Sequence, residues 1–201
     1  ASILSELFRD IRKRKALSFR EDFCGTFKIA CEWIKLHKDN TAVGLDIDPE
    51  PVAYVKATHF SKLTPHQQSR VQIFQQNVIS VTEAVDLIAA CNFSYWIFKE
   101  RKTMLKYFKA VKESLKEDGL FFMDIVGGTE MFEETVDKEK YGSGKNKFTY
   151  IWKQKDFNPI THEGMFSISF KLSDGTKLKD AFTYDWRVWT IPEIRDILMD
   201  A

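Results

Sequence analysis

Apolar positions follow a helical period at the start of the chain: Leu4, Leu7, Phe8 and Ile11 fall three or four apart, with charge on the other side. They predict an N-terminal helix within residues 1–16. From Leu17 onward, strand-like runs alternate with helical patterns. An extended stretch, Leu17 to Phe23, leads into a helix that buries Ile29, Ala30, Trp33 and Ile34. Thr41 to Leu45 reads as a buried strand ending at Asp46, and Pro49 suits the first turn of the next helix, where its missing N–H is not needed. Val71, Ile73 and Phe74 mark a third strand, and Val85 to Ala90 a fourth. Met104, Leu105, Phe108, Val111 and Leu115 give a long amphipathic helix, with its stop expected at Asp118-Gly119. Leu120 to Val126 is an almost wholly apolar fifth strand, as expected for a strand covered on both faces. Strands separated by helices imply right-handed crossovers, so residues 17–128 predict a doubly wound, mostly parallel α/β sheet.

After Gly127-Gly128 the period changes. An acidic stretch, Glu130 to Glu139, and Gly142-Ser143-Gly144 precede three period-2 segments. Phe148, Tyr150 and Trp152 share one face of the first, Phe166, Ile168 and Phe170 of the second, Phe182, Tyr184 and Trp186 of the third. Asp174-Gly175 supplies a turn between the last two. These predict a small antiparallel insertion over 146–188 with one aromatic face. Pro192, Ile194, Ile197 and Leu198 predict a last helix within 190–201.

The size, 201 residues, suits a single domain with a sizeable core. Thirty basic against 29 acidic residues leave a net charge of +1, which disfavours a nucleic-acid substrate or an anionic membrane. The run Arg12-Lys13-Arg14-Lys15 reads as a solvated helix end; the alternative is a phosphate-binding patch. No apolar run reaches the roughly 20 residues of a membrane helix, and no signal-peptide pattern opens the chain. Cys24, Cys31 and Cys91 are odd in number and lie in apolar segments, which argues against a disulfide framework and for a cytoplasmic protein. No Cys/His spacing resembles a zinc site, so no metal is expected.

The chemistry concentrates at strand ends. The first strand–helix junction reads Glu21-Asp22-Phe23-Cys24-Gly25-Thr26-Phe27, a place where doubly wound folds bring a ligand to a helix N-terminus. Gly25 would let the backbone approach that ligand closely. Asp46 ends the second strand about 20 residues further on, the spacing at which a carboxylate accepts ribose hydroxyls. Its alternative role is the N-cap of the helix that Pro49 begins.

With these residues the chain resembles a class I S-adenosylmethionine-dependent methyltransferase, over residues 17 to 126 and again at the closing helix. Glu21 to Phe27 resembles the family's first motif, Gly44-Leu45-Asp46-Ile47-Asp48 its ribose-binding second strand, Gln76-Asn77-Val78 its adenine-binding segment, and Asp86 to Asn92 its fourth strand and exit. Arg20 to Thr26 together with Phe182 to Arg187 further resembles a bacterial subgroup. The resemblance implies a Rossmann-like fold, S-adenosyl-L-methionine as cofactor, and roles for seven residues. Glu21 would face the methionine amine, Gly25 offer backbone, Asp46 hold the ribose and Ile47 lie against adenine. Asn77 would meet the adenine amino group, Val78 a ring nitrogen through its amide, and Asn92 would lie beside the methionine moiety. The family closes with two strands after the last helix, so a truncated chain is expected. Phe23 and Phe27 stand where the motif usually has glycine.

Methyl transfer from a sulfonium needs alignment above all, because the leaving group is neutral. A general base is required only if the acceptor must lose a proton, and Tyr95, Asp185 and His162 are the candidates. Asn92-Phe93-Ser94-Tyr95 resembles the Asn-Pro-Pro-Tyr of amino-group methylases without its prolines; otherwise Asn92 ends the strand and Tyr95 and Trp96 line an acceptor pocket. The aromatic face of the insertion either packs as core or covers the cleft, with Tyr150, Trp152, Tyr184 and Trp186 touching a small-molecule acceptor. Arg187 would pair an acidic substrate group, or Asp185. Two rival readings stand beside the methyltransferase. One is a non-catalytic scaffold, which Phe23 and Phe27 motivate. The other is a nicotinamide-dependent oxidoreductase, which would need a small residue at position 27.

Overall fold

The first strand begins at Ser18, where Asp86 gathers the amides of Leu17 and Ser18 at 2.9 Å each and the Ser18 hydroxyl at 2.9 Å. The computed structural model describes residues 1–201, the side chains of Val52 and Lys56 excepted. Two compact units result: Ala1–Tyr95 with Met104–Asp124 and Asp200–Ala201, and Trp96–Thr103 with Ile125–Met199.

The first unit runs α1 (Ser2–Arg12), β1 (Ser18–Asp22), α2 (Lys28–Leu36), β2 (Thr41–Asp46), α3 (Pro49–Ala57), the single turn α4 (Pro65–Gln68), β3 (Val71–Gln75), β4 (Val85–Ala90), then α5 (Arg101–Glu113), whose first residues belong to the second unit, and β5 (Leu115–Met123). Its sheet has the order β3-β2-β1-β4-β5, every pair parallel. The order reverses between β1 and β4, so their carboxyl ends form the crevice where such sheets take ligands. Every residue of β4 is buried, as its apolar run requires. One face carries Phe19, Ala42, Leu87 and Ala89 in a cluster with Phe8 of α1 and with Ala30, Trp33 and Ile34 of α2. Phe19 and Trp33 lie 5.2 Å apart between ring centroids. The other face carries Arg20 and Asp22 toward α5, whose Tyr107 bonds Asp22.

Two expectations need correction in this unit, the end of the long helix and the role of the basic run. The long helix ends at Glu113, not at Asp118-Gly119, which lie inside β5. The cause is Ser114, fully buried, whose carbonyl accepts the Val85 amide at 3.0 Å and so begins the next strand pair. Of the apolar stripe on α1, only Phe8 is buried, while Leu7 and Ile11 are exposed. The basic run after α1 is a docking point: Arg14 binds Asp118 at 2.6 Å and Asp86 at 2.9 Å, and Arg12 donates to the Gly119 carbonyl.

The second unit contains β6 (Thr135–Tyr141), β7 (Phe148–Asn158), β8 (Glu163–Leu172) and β9 (Lys177–Arg187), antiparallel in that order, and α6 (Ile191–Asp200). The insertion therefore has four strands, and pairing begins at 135 rather than 146. The register places Tyr150 opposite Phe170, Trp152 opposite Ile168 and Phe166 opposite Tyr184, which gives the single aromatic face that the period-2 pattern predicts.

Candidate functional site

The turn after β1 holds three left-handed residues within five: Phe23 at φ 52°, Gly25 at 47° and Phe27 at 54°. Glycine adopts this region freely, whereas a side chain costs roughly 1–2 kcal/mol there. Packing compensates the two phenylalanines. Phe27 is fully buried under β2, where Gly44 leaves room: a Cβ on Gly44 would come 2.1 Å from Phe27 Cε2. The Phe23 ring lies edge-on to Tyr107, 5.8 Å between centroids. The bulk at 27 is thus taken up by the helix side and the neighbouring strand.

Gly25 donates its amide to Asp46 Oδ2 at 2.7 Å, while Asp46 Oδ1 accepts the Asp48 amide at 3.0 Å. The N-cap of α3 is Asp48, which accepts from the Glu50 amide, so Asp46 is free of that alternative duty. A Cβ on Gly25 would have no neighbour nearer than the Phe23 carbonyl at 4.0 Å, so open space adjoins the turn. Ile47, just past the strand end, is 66% exposed. Two oxygens each using one lone pair leave acceptor capacity for two hydroxyls. These residues fit the ribose end of a nucleoside.

Glu21 lies on the α2 face of β1 and accepts the Ala30 amide at 2.8 Å. Burial pushes its carboxyl up to about 8, and the helix amides of Ala30 and Ile29 counter that only in part. Asn77 and Val78 follow β3. The Asn77 side-chain oxygen accepts the Ile79 amide at 3.0 Å, and the Val78 carbonyl accepts from Arg20 at 2.6 Å. Asn92 and Phe93 both take left-handed backbone after β4, and the Asp124 carboxylate accepts both amides, at 2.6 and 3.0 Å. Asp124 was missed from sequence; an acidic residue closing the apolar run Leu120 to Met123 was the available signal. Tyr95 is fully buried and donates its hydroxyl to the Asp124 carbonyl at 2.8 Å. Burial also pushes the thiols of Cys31 and Cys91 up to about 11, and that of Cys24 higher still, which keeps all three protonated near neutrality.

In the second unit Trp96, Phe166 and Trp186 are buried together, and Tyr184 stacks on Trp186 at 4.2 Å. Trp152 packs on Phe166 at 5.6 Å, and Tyr150 lies edge-on to Phe170 at 6.0 Å. Tyr150, Trp152 and Tyr184 remain partly exposed. Arg187 does not pair with Asp185. It binds Glu193 at 2.8 Å and stacks over Trp189 at 3.8 Å, because α6 follows at once and brings Glu193 to it. Asp185 is an ion-pair partner of Lys99, which also binds Glu163 at 3.2 Å. His162 packs against Phe132 and Phe157, with centroids at 5.1 and 6.4 Å, and those two rings also touch each other at 5.7 Å. Among the described residues no three His, Cys, Asp or Glu side chains could hold a metal ion, and no helix is long and apolar enough to cross a membrane.

A parallel sheet of order β3-β2-β1-β4-β5 together with a separate four-stranded antiparallel sheet is the Rossmann-like methyltransferase fold. No family model and no curated protein sequence matches the chain. Solved structures do. An S-adenosylmethionine-dependent methyltransferase from Clostridium acetobutylicum is 21% identical, with a TM-score of 0.65 over 90% of this chain and 71% of its own. A sugar N-methyltransferase from Streptoalloteichus is 12% identical, with a TM-score of 0.72 over 99% and 76%. An amino pentose methyltransferase from Micromonospora echinaspora, solved with S-adenosylmethionine bound, is 12% identical, with a TM-score of 0.75 over 100% and 80%.

Proposed function

We propose that the chain is an S-adenosylmethionine-dependent methyltransferase acting on a small-molecule acceptor. The observation that carries this reading is the meeting of the Gly25 amide and the Asp46 carboxylate at the carboxyl ends of β1 and β2, beside the exposed Ile47. In it Asp46 accepts the ribose hydroxyls, Ile47 covers one face of the adenine, and Asn77 and Val78 recognise its edge. Glu21 draws the methionine ammonium, and Asn92 lies beside the methionine chain.

The bound sulfonium would supply an electrophilic methyl group. The work left to the protein is to align donor and acceptor and to exclude water. Two of the similar structures are N-methyltransferases of sugars by name or act on an amino pentose, which favours an amine nitrogen as acceptor. Partly exposed Tyr150, Trp152 and Tyr184 suit a cationic or hydroxylated small molecule, since aromatic faces attract cations. Should that amine arrive protonated, Asp185, His162 or Tyr95 would have to take the proton. Of these, Asp185 is the most exposed, although Lys99 holds it.

The scaffold reading rested on Phe23 and Phe27. Phe27 is buried against Gly44 of β2, so the core takes up its bulk. The experiment is transfer of a labelled methyl group from S-adenosylmethionine to a pool of small amines and amino sugars. Label on a product supports the reading; binding of the donor with no transfer to any pool favours the scaffold. Tight binding of NAD without S-adenosylmethionine binding would favour the oxidoreductase.

A further inference from the structure

A whole cation lies in the core on the face of β1 opposite Glu21. Arg20 is fully buried, and its Nε donates to Asp22 Oδ1 at 2.6 Å. Tyr107 of α5 donates to the other oxygen of Asp22 at 2.8 Å. The remaining guanidinium donors leave β1 altogether. Nη2 reaches the Val78 carbonyl at 2.6 Å, and Nη1 reaches the Ser80 carbonyl at 3.1 Å, the Thr82 hydroxyl at 3.2 Å and the Ser114 hydroxyl at 2.9 Å. Ser114 closes the circuit by accepting the Thr82 amide at 3.0 Å.

A buried ion pair is weak evidence for stability, since apolar residues of similar volume often serve as well. What an apolar residue cannot give is a rigid planar fork that fixes several acceptors at once. Here the acceptors are concentrated in one segment, 78–82. The contact with Val78 also reaches beyond itself. The Val78 carbonyl and the Ile79 N–H belong to one planar peptide unit, and that N–H donates to the Asn77 side-chain oxygen at 3.0 Å. Through one rigid plane, Arg20 therefore holds the Asn77 side chain. The Ser80 amide donates to the Asn77 carbonyl at 2.9 Å and completes the turn.

We propose that Arg20, oriented by Asp22 and Tyr107, is a positioning residue that sets the geometry of the turn 77–82 and thereby the choice of nucleobase. The proposal rests on the cofactor reading above, in which this turn receives the adenine edge. A turn held this firmly presents the Asn77 oxygen with one lone pair engaged and one free, an acceptor suited to the adenine amino group and unsuited to a carbonyl at the same position.

The test compares S-adenosylhomocysteine with S-inosylhomocysteine, which carries a carbonyl in place of the amino group, by calorimetry on the wild-type chain, Arg20→Lys and Thr82→Val. Amide exchange over 77–82 is followed in parallel. The wild-type chain should prefer the adenine compound at least tenfold. Arg20→Lys should bring that preference below threefold and speed exchange of the Ile79 and Thr82 amides. Thr82→Val, which removes the hydroxyl's contacts with Arg20 and with the exposed Glu83 carbonyl and leaves the Arg20–Asp22 pair intact, should lower the preference by two- to fivefold with a nearly unchanged melting point; it decides the matter if Arg20→Lys does not fold. Wild-type preference retained in the folded Arg20→Lys chain, or in Thr82→Val if that is the only variant to fold, overturns the proposal alone. A wild-type chain that binds neither compound overturns the cofactor reading and this proposal with it.

Discussion

The Gly25 amide donates to Asp46 Oδ2 at 2.7 Å, joining the turn after β1 to the end of β2. Residues 21 apart in sequence are brought into direct contact by the parallel register that pairs Asp22 with Leu45. Each is placed by the other. The left-handed bend at Gly25 turns its N–H toward the carboxylate, and the carboxylate anchors the bend in return.

Gly25→Ala tests the openness of that bend. The new Cβ meets nothing nearer than 4.0 Å within the chain, but it must adopt φ 47°, at a cost of about 1–2 kcal/mol. The variant should fold with a modest loss of stability and bind S-adenosylhomocysteine at least tenfold more weakly. Unchanged affinity in calorimetry would mean that no ligand approaches this turn.

Phe27 and Gly44 are a matched pair. Gly44→Ala puts a Cβ 2.1 Å from Phe27 Cε2 and 3.0 Å from Cys24 Sγ, an overpacked position that should destabilise the chain by about 1–3 kcal/mol in urea unfolding. Phe27→Leu in the same chain should recover part of that loss, so the two changes should be non-additive. Additive losses would show that Phe27 does not occupy the space Gly44 leaves.

Glu21 makes stability depend on pH. Its carboxyl is pushed up to about 8 by burial, from an ordinary 4.5, so the folded chain keeps a proton that the unfolded chain has already lost. The contribution is complete below about pH 4.5 and declines as pH rises toward 8, by at most about 1.4 kcal/mol per pH unit. Urea midpoints measured from pH 5 to 9 should fall for the wild-type chain relative to Glu21→Gln, and run parallel above 8. Parallel curves over the whole range would contradict the assignment. A ligand ammonium beside Glu21 would favour the carboxylate, so binding at pH 7 should release a proton, visible as a dependence of binding heat on buffer ionisation.

Much of the fold was legible because the parallel strands are apolar runs and the insertion alternates at period 2. Thr135 to Tyr141 was not, since its alternation is between charges, Asp137, Lys138, Glu139 and Lys140, on an edge strand that needs no apolar face. The helix end at Glu113 was hidden because Leu115 continues the apolar stripe of α5, while the decisive residue, Ser114, acts through long-range hydrogen bonds. At the candidate site, Gly25 and Asp46 stood out by type and spacing. Asp124 did not, because its role as acceptor for two left-handed residues depends on β4 and β5 lying side by side. Likewise the buried network of Arg20 and Asp22 has no local signal, because its partners lie on α5 and in the turn 77–82.

Asp46→Ala probes the central relationship most directly. Calorimetric titration with S-adenosylhomocysteine should give saturable binding to the wild-type chain and an affinity at least tenfold lower in the variant. The variant also leaves two backbone amides, those of Gly25 and Asp48, without their present acceptor, so its stability should fall by about 1 kcal/mol for each. Equal affinity in the two chains, or no binding to the wild-type chain at millimolar ligand, would contradict the account.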